Sequence, residues 1–519
     1  MKDKPPAMGL LDMEITTQKK PETLLEYDSD GRTESVWGQG RIIKTTTSIC
    51  PQCLASIEAQ VLERNSEVWM DKSCDQHGQF SALLSSDIQH YYEPTGQPMS
   101  GKSCCGSSCG QPADASGLIA DSQAWANHSC TILIEITERC NLTCPTCFAG
   151  SSPQHSHMMT LDEFTRQVDQ LVAGGKSGSD MIQLSGGEPT IHPQFIEMIE
   201  LLFDRGFKKV CINSNGIKLA QSAFTNKLAG CSRAFPDAEL FVYLQFDGFR
   251  ESTHQTLRGR GDLLEIKRKA LALCEANNIS IHPVMTLTRG INDSEVGEFI
   301  QLAVDTPELK NVVIQPAMYS GRYDNPRLQK RLTLADTVKL ICEQFGAFSP
   351  DDFMPIPCSD PNCFGMAVAF RTDNGLIPVS RYFPRYEDWG GDEAHELIDA
   401  FTDTINGPGA FSEAIRWATK NGHINDAMDG LNDAQINELL DALIDAQSGG
   451  KGIWDKLLTI SIKPFMDAYT YDQDRIDQCC VHILDKRGNP VSFCEFNAIN
   501  RPQMTASADS LAQIKVANA

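Results

Sequence analysis

From Thr131 onward, short runs rich in β-branched and aromatic residues alternate with segments whose apolar residues recur every three or four positions. The runs predict buried β-strands, and the periodic segments, such as LDEFTRQVDQLVAG, predict amphipathic helices that cover them. Strands joined by helical crossovers are parallel, which predicts an α/β fold whose functional residues lie at the carboxyl ends of the strands. The predicted strands span residues 131–137, 181–186, 209–216, 240–248, 279–287 and 311–318.

The regions on either side of this series follow other patterns. The segment IEAQVLERNSEVWMDKS alternates like a hairpin that turns at residues 64–66, and CCVHILDKRGNPVSFCEFN predicts a second hairpin that turns at residues 486–489. An acidic helical segment lies between them, at about 392–448. The predicted organisation is a flexible tail (1–35), a small metal-binding β domain (36–98), a Cys-rich linker (99–130), the α/β domain (131–350) and a C-terminal domain that contains the acidic segment (351–519).

Composition narrows the class of protein. Of the 519 residues, 41% are hydrophobic and 22% are charged, which is typical of a globular chain. The formal net charge of −23 argues against a nucleic-acid partner. No apolar run reaches the length of a membrane helix and the N-terminal residues have no signal-peptide core, so we expect a cytoplasmic protein whose membrane contact is at most transient. Nineteen cysteines in a reducing compartment indicate metal binding rather than disulfides.

The most informative cysteines follow the first predicted strand. Cys140, Cys144 and Cys147 have the spacing C-x3-C-x2-C, and three thiolates on one loop hold three irons of a [4Fe–4S] cluster and leave the fourth iron open. The second strand ends in SGGEP, where two glycines allow close backbone approach and the carboxylate of Glu188 suits an ammonium group. The third and fourth strands end in NSNG and QFDG.

These motifs, in this order, resemble the radical S-adenosylmethionine (SAM) superfamily. The resemblance implies a partial (β/α)6 TIM-like barrel, with SAM bound to the open iron of the cluster. It also implies reductive cleavage of SAM to a 5′-deoxyadenosyl radical that takes hydrogen from a C–H bond. Many members carry an aromatic residue just before the third cysteine, whereas this chain has Thr146 there and Phe148 after it. The SAM-binding residues implied are Gly186, Gly187, Glu188, Pro189, Asn213, Asn215, Gln245, Asp247 and Arg258.

Three further groups of cysteines predict metal sites. One group has the two-knuckle spacing C-x2-C and C-x2-H, which is typical of a structural, four-coordinate zinc or iron ion. A second group can supply four thiolates to an auxiliary [4Fe–4S] cluster with no open iron, and a third can supply another cluster. The first group is Cys50, Cys53, Cys74 and His77; the second is Cys358, Cys363, Cys479 or Cys480, and Cys494; the third is Cys104, Cys109 and Cys130.

The outer motifs narrow the resemblance. KTTTSICPQC, KSCDQHGQF, LSGGEPTIHP, IPCSDPNCF and FCEFN are similar to the radical SAM family that contains the archaeal tetraether lipid synthase and a pterin-directed methyltransferase. The resemblance implies a transferase that methylates, or forms a C–C bond on, a lipid or a pterin-like metabolite, with an electron donor such as ferredoxin or flavodoxin. The segment CCGSSCGQ departs from the family pattern, which puts the third cysteine group in doubt.

Two other functions remain open at this point. Auxiliary Cys-rich domains also occur in radical SAM enzymes that modify peptides or proteins, although a peptide-binding winged helix is not evident in the N-terminal region of this chain. A non-catalytic iron–sulfur electron carrier or zinc-ribbon binding module is the other alternative. That alternative gives no function to the GGEP motif or to the βα series, and loss of SAM binding would favour it.

Overall fold

The computed structural model describes residues 26–27, 33–34, 37–92, 129–175, 181–323, 331–356, 359–373, 375–382, 432, 434–438, 441 and 456–505. Three predicted metal ligands, Cys104, Cys109 and Cys358, lie outside the described residues. Most of the predicted tail (1–35), nearly all of the predicted linker (99–130) and most of the acidic segment (392–448) also lie outside them. Within the described stretches, no helix has both the length and the apolar character needed to cross a membrane.

The N-terminal region folds as a four-stranded antiparallel sheet of strands in sequential order. Its second hairpin turns at Asn65 and Ser66, which have φ values of 53° and 64°, so the predicted turn is confirmed. Val61, Val68 and Met70 are fully buried on this sheet. The strands are β3 (Arg41–Ile49), β4 (Ser56–Arg64), β5 (Glu67–Cys74) and β6 (Gly78–Ser85); a separate two-stranded sheet precedes them, with β1 (Glu26–Tyr27) and β2 (Thr33–Glu34).

The α/β region forms a second, larger sheet whose six central strands are parallel. All six predicted strands are present, and their ends lie within three residues of the predicted ones. Consecutive strands are neighbours in the sheet, as expected for parallel strands joined by crossover helices. The strands are β7 (Thr131–Thr137), β8 (Met181–Gly186), β9 (Lys209–Ser214), β10 (Glu239–Gln245), β11 (Ser280–Leu287) and β12 (Asn311–Pro316).

Amphipathic helices cover one face of this sheet. The first of them begins with a capping box in which Thr160 and Glu163 satisfy each other's backbone N–H groups, and it buries Phe164 and Val168 against the strands. These helices are α1 (Leu161–Ala173), α2 (Phe195–Asp204), α3 (Ser222–Ala234), α4 (Glu251–Arg258), α5 (Leu263–Glu275), α6 (Val296–Asp305) and α7 (Leu334–Phe345). Two short C-terminal helices, α8 (Gln473–Asp477) and α9 (Phe493–Glu495), belong to a separate apolar cluster.

The C-terminal region contributes further strands to the same sheet. β15 (Leu457–Ile462) pairs in parallel with β12, and β16 (Val481–Leu484) pairs in parallel with β7, so the sheet grows at both edges. Leu458, Ile460 and Ile462 join the apolar core of the α/β region because they face the same side as its buried residues. The remaining strands, β13 (Gly365–Thr372), β14 (Gly375–Pro378) and β17 (Pro490–Ser492), are antiparallel to their neighbours.

Alternation along each strand gives the sheet two different faces. Leu240, Val242 and Leu244 of β10 pack beneath the helices, so Tyr243 and Gln245 point to the opposite side, which we call the inner face. The inner face carries mostly polar side chains that are only half-buried. They include Asn213, Tyr243, Gln245, His282, Thr286 and Gln315.

Candidate active site and metal centres

The loop that follows β7 brings the three central thiols together. Cys140, Cys144 and Cys147 share one small apolar cluster with Leu142 and Leu263. The Leu142 N–H donates to Cys140 Sγ at 3.4 Å. Burial raises the pKa of the Cys140 thiol to about 12, so cluster binding must displace protons from this site. Among the described cysteines only these three lie in this cluster, which fits a [4Fe–4S] group that takes three protein ligands.

The two glycines of the GGEP motif allow the end of β8 to approach the cysteine loop. A Cβ atom on Gly187 would lie 2.1 Å from the carbonyl oxygen of Arg139, and one on Gly186 would lie 2.1 Å from that of Thr137. Gly186 also has a φ of 124°, which favours glycine. The N–H of Gly187 donates to Thr137 O at 2.7 Å. The glycines therefore fix the start of the cysteine loop against the neighbouring strand.

Glu188 is buried and ties the ends of β8 and β9 together. Its carboxylate accepts hydrogen bonds from Thr190 Oγ1 at 2.5 Å, Ser214 Oγ at 2.9 Å and the N–H of Asn215 at 2.8 Å. Burial raises the pKa of this carboxyl group. Pro189, next in the motif, is buried and starts a single helical turn. The structure thus gives Glu188 a positioning role beside its predicted contact with the amino group of SAM.

Two predicted SAM-binding asparagines lie next to the cysteine loop and the inner face. Asn215 Nδ2 donates to Asn141 Oδ1 at 2.7 Å and lies 3.9 Å from Cys140 Sγ. Asn213 lies one pleat earlier on β9, where it accepts from Gln183 Nε2 at 2.7 Å and donates to Ser185 Oγ at 3.1 Å. Both side chains therefore line the space between the cysteine loop and the inner face.

Arg258 forms a buried ion pair with Asp247. Two guanidinium nitrogens contact the carboxylate at 2.6 and 2.8 Å, and one of them also donates to Thr286 Oγ1 at 2.8 Å. Burial alone would raise the pKa of Asp247, but the charge and hydrogen bonds of Arg258 lower it to about 2. The sequence predicts that Arg258 contacts SAM; in the structure its guanidinium group donates to Asp247, Thr286 and Thr146.

Lys267 is a site residue that the sequence did not reveal. It is fully buried on α5, and its Nζ donates to the carbonyl oxygens of Gln245 and, at 3.4 Å, Asn215. Burial lowers the pKa of Lys267 to about 8. The charge of Lys267 lies close enough to Cys144 and Glu188 to influence both. The helix pattern alone predicts a solvated lysine here, since KRKALAL contains other cations at neighbouring positions.

Arg322 is the second residue that sequence reasoning missed. Its guanidinium donates to the carbonyl oxygens of Cys144 at 2.9 Å, Gly150 at 2.5 Å and Ser151 at 2.6 Å. Its own N–H donates to Cys147 O at 3.0 Å. Arg322 therefore clamps the cysteine loop through its backbone. The only signal in the sequence is a Gly-Arg pair in the loop after the sixth strand, YSGRYDNPR.

Replacing Arg322 by methionine is expected to lower the iron bound at the cysteine loop and to reduce the free energy of unfolding by about 1–3 kcal/mol, because three carbonyl groups lose their donor. Iron content after anaerobic reconstitution and urea unfolding measure the two effects. Arg268→Met is the matched control, since Arg268 is exposed and forms an ion pair with the exposed Glu265. Equal iron content in the Arg322→Met and control variants would refute the clamp.

The first cysteine group forms a compact four-ligand site. Cys50 Sγ and Cys74 Sγ each lie 3.5 Å from His77 Nδ1, and Cys53 Sγ lies 3.9 Å from Cys74 Sγ. All four ligand atoms lie within 4.8 Å of one another. Tetrahedral zinc with ordinary bond lengths requires ligand spacings of about 3.5–3.8 Å, so the donor set and its geometry fit a closed mononuclear metal site.

Replacing Cys53 by serine is expected to release this metal ion and to destabilise the β3–β6 sheet, because only three of the four ligands of the tetrahedral site remain. Elemental analysis of the wild type also identifies the ion as zinc or iron. Cys342→Ser is the matched control, because Cys342 lies on α7 and belongs to none of the metal groups. Full retention of the ion in Cys53→Ser would contradict the assignment.

Three cysteines of the second group lie close together. Burial, with a smaller contribution from the neighbouring Cys479, raises the pKa of Cys363 to about 12. Burial also raises the pKa of Cys494, and both Cys479 and Cys363 contribute to this rise. Arg475 approaches Cys363 Sγ at 3.2 Å. The predicted fourth member, Cys358, lies outside the described residues.

The other predicted cysteine ligands in this region have different surroundings. Cys479, rather than Cys480, is the neighbour that influences both Cys363 and Cys494. The carbonyl oxygen of Cys480 accepts a hydrogen bond from the N–H of Cys130 at 2.8 Å. Cys479 therefore lies near both other thiols of the second group, and Cys130 lies beside β16.

The first cysteine group, the cysteine loop and the second cysteine group all adjoin one apolar cluster, which we call the central cluster. It contains Ile49, Leu133, Met318, Met466, Tyr471, Ile476, Ile483, Phe493, Cys494, Phe496 and Ala498. Phe148, which follows Cys147, packs edge-on against Phe493 at 5.8 Å. Ile49, which precedes Cys50, joins the same cluster. Phe148, which follows the third cysteine of the motif instead of preceding it, therefore connects the cysteine loop to the second cysteine group.

Hydrogen bonds hold the N-terminal sheet against the C-terminal region. Lys72 Nζ donates to Ala468 O at 2.7 Å, and Ser48 Oγ donates to Tyr471 O at 2.5 Å. Lys44 forms an ion pair with the buried Asp472 at 2.8 Å. The sheet that carries the four-ligand metal site is thus part of the wall around the central cluster.

Comparison with known proteins agrees with this arrangement. Residues 134–303 match the radical SAM superfamily. The chain carries a radical SAM domain. This domain contains the cysteine loop and the GGEP motif, and the protein is accordingly a radical SAM enzyme whose superfamily implies a [4Fe–4S] cluster and SAM as cofactors. Residues 42–86 match the HMPTM N-terminal zinc ribbon domain, which covers most of the β3–β6 sheet and its metal ligands.

The radical SAM enzyme is similar to several characterised proteins. It is 29% identical over 502 residues to the 7,8-dihydro-6-hydroxymethylpterin dimethyltransferase of Methanocaldococcus jannaschii, over 89% of this chain and 94% of that protein. It is 28% identical over 202 residues to the GTP 3′,8-cyclase of Alkaliphilus oremlandii, over 37% of this chain and 59% of that protein. Peptide-bound SuiB of Streptococcus suis matches 41% of this chain and 45% of its own, with 16% identity and a TM-score of 0.33.

Proposed function

We propose that this radical SAM enzyme activates a C–H bond for the methylation of a pterin-like heterocycle. The observation that carries the proposal is the similarity to the pterin dimethyltransferase, which extends over 89% of this chain and 94% of that protein. An alignment of this extent reaches far beyond residues 134–303, which match the radical SAM superfamily. A shared barrel domain alone would not account for it.

The polar inner face supports a heterocyclic substrate over a lipid. Asn213, Gln183 and Gln245 present amide groups there, and Tyr243 and His282 add ring polar atoms. An alkyl chain packed on this face would remove these polar groups from water without offering them a hydrogen bond, which costs free energy. A fused heterocycle carries both a flat apolar surface and ring polar atoms, and therefore satisfies these groups.

Residues of the chain prepare the site for this chemistry. When bound, the cluster and SAM supply a 5′-deoxyadenosyl radical. We propose that Cys140, Cys144 and Cys147 hold the cluster, while Arg322 fixes the loop that carries them. Lys267 supplies positive charge close to Cys144, where a cluster with three thiolates adds negative charge.

The second cysteine group fits an auxiliary cluster in this proposal. Cys363, Cys479 and Cys494 supply three thiols, and Cys358 supplies the fourth. Four protein ligands leave no open iron, so the group suits electron transfer or stabilisation of an intermediate rather than substrate binding. We further propose that ferredoxin or flavodoxin delivers the electron that SAM cleavage requires.

Deuterium transfer tests the proposed function. The holoenzyme is incubated anaerobically with SAM, a strong reductant and 7,8-dihydro-6-hydroxymethylpterin deuterated at its carbon-bound positions. We expect deuterium in the 5′-deoxyadenosine that mass spectrometry detects. Unlabelled 5′-deoxyadenosine, formed at the same rate with and without the pterin, would retain the radical chemistry and reject the pterin as the substrate.

A further inference from the structure

Lys463 carries a positive charge onto the inner face. It directly follows β15, and its N–H donates to Ile314 O at 2.9 Å, which fixes its backbone to β12. Its Nζ lies 5.4 Å from the centroid of the Tyr243 ring and 5.5 Å from that of Phe364. No carboxylate among the described residues forms an ion pair with Lys463, and its ammonium group lies against two aromatic rings.

Aromatic rings form a continuous wall beside this ammonium group. The His282 ring lies 4.8 Å from that of Phe241 and 5.7 Å from that of Tyr243, centroid to centroid. His282 Nδ1 is buried and finds no hydrogen-bond partner among the described residues. Burial lowers the pKa of His282 to about 4, so the ring is neutral at pH 7. A neutral ring with an unused nitrogen is available to a ligand as a hydrogen-bond partner.

The aromatic wall lies next to the cysteine loop. Tyr243 pairs in register with Asn213, and Asn215, two residues further along the chain, approaches Cys140. Two residues of a strand span about 6–7 Å, so a ligand on this wall lies within one pleat of the cysteine loop. On the other side, Phe364 directly follows Cys363 of the second cysteine group. The wall thus lies between the two cysteine groups.

We propose that Lys463, Tyr243 and His282 form the binding site for a flat oxo-heterocycle, with the heterocycle packed on the aromatic wall and its ring carbonyl oxygen accepting a hydrogen bond from Lys463 Nζ. The inference rests on the proposed function, since it assigns the residues that orient the substrate of that reaction. The amides of Gln183 and Asn213, which hydrogen-bond to each other, lie on the same face of the sheet. The unpaired charge, the ring wall and the unused histidine nitrogen all fit such a ligand.

Equilibrium binding of 7,8-dihydro-6-hydroxymethylpterin to the holoenzyme, with SAM present and no reductant, tests this site. Because a hydrogen bond to a charged group contributes substantially to affinity, we expect Lys463→Met to raise the Kd by about tenfold or more. Tyr243→Leu removes the aromatic face on which the heterocycle packs and is also expected to raise the Kd. Lys339→Met is the control, because Lys339 is exposed on α7, where it forms an ion pair with Glu343.

Each outcome of this binding experiment decides the assignment. Weaker binding by Lys463→Met, with iron content and unfolding transition like those of Lys339→Met, supports the site. Equal affinity of Lys463→Met and wild type overturns it. If Lys463→Met fails to fold, Tyr243→Leu decides in the same way. Wild-type protein that binds no pterin also overturns it, while deuterium transfer, measured separately, reports on the proposed function itself.

Discussion

Replacing Cys144 by alanine is expected to remove the catalytic cluster and to reduce 5′-deoxyadenosine formation to the level of a protein-free control. The thiol is buried among Leu142, Leu263 and the other two cysteines, so neither solvent nor another described thiol can take its place. Two thiolates cannot hold a cluster that three thiolates hold with one iron open. Iron content and the electron paramagnetic resonance spectrum of the reduced protein measure the loss.

Cys231→Ala is the matched control for this variant. Cys231 is equally buried but lies on α3, in the core beneath the helices. It is expected to retain the cluster spectrum of the wild type. The ion held by Cys50, Cys53, Cys74 and His77 is expected to remain in both variants, because its four ligands are complete without the central motif. An unchanged cluster spectrum in Cys144→Ala would remove the basis for the catalytic assignment.

The second large effect concerns stability. Asp247→Asn is expected to lower the free energy of unfolding by about 3–5 kcal/mol, because it leaves the guanidinium group of Arg258 buried without a counter-charge. Urea unfolding measures the change. Asp169→Asn is the control, since its partner Arg205 is exposed and the loss of that ion pair is expected to have little effect. Equal urea midpoints for Asp247→Asn and Asp169→Asn would contradict the stabilising role of the buried Asp247–Arg258 ion pair.

The same pair has a defined pH dependence. Burial alone would raise the pKa of Asp247, whereas Arg258 lowers it to about 2, below the value near 3.9 that is typical of an unfolded chain. A lowered folded-state pKa contributes stability that is fully present above the unfolded value. This contribution is therefore expected to be constant at neutral pH and to be lost only as the pH falls from about 4 towards 2.

Local sequence patterns were sufficient to predict the central strands. The run TILIEIT and its counterparts combine β-branched residues with flanking helical periodicity, and each of them became a strand of the sheet. The turn at Asn65 and Ser66 was equally local, since both residues tolerate positive φ. The addition of β15 and β16 to the same sheet could not be predicted, because pairing of β15 with β12 joins residues far apart in the chain.

The site residues also divide into those with a local sequence signal and those that depend on contacts between distant parts of the chain. Cys140, Cys144 and Cys147 were found because their spacing within one loop is itself the signal. Arg322, Lys267 and Lys463 were missed because each acts through contacts with distant strands or loops, and an arginine or lysine by itself is usually a solvated residue. For Arg258 the sequence predicted a contact with SAM, but the buried partner Asp247 emerges only when β10 and α4 pack together.

The central claim is that this chain performs radical SAM chemistry at the cysteine loop. Anaerobic incubation of the reconstituted protein with SAM and a strong reductant, followed by mass spectrometry for 5′-deoxyadenosine, tests it most directly. The account predicts 5′-deoxyadenosine from the wild type and from Cys231→Ala, and none from Cys144→Ala. Absence of the product from wild-type protein that retains its full cluster content, and that does not bind SAM, would contradict the account and favour an electron carrier.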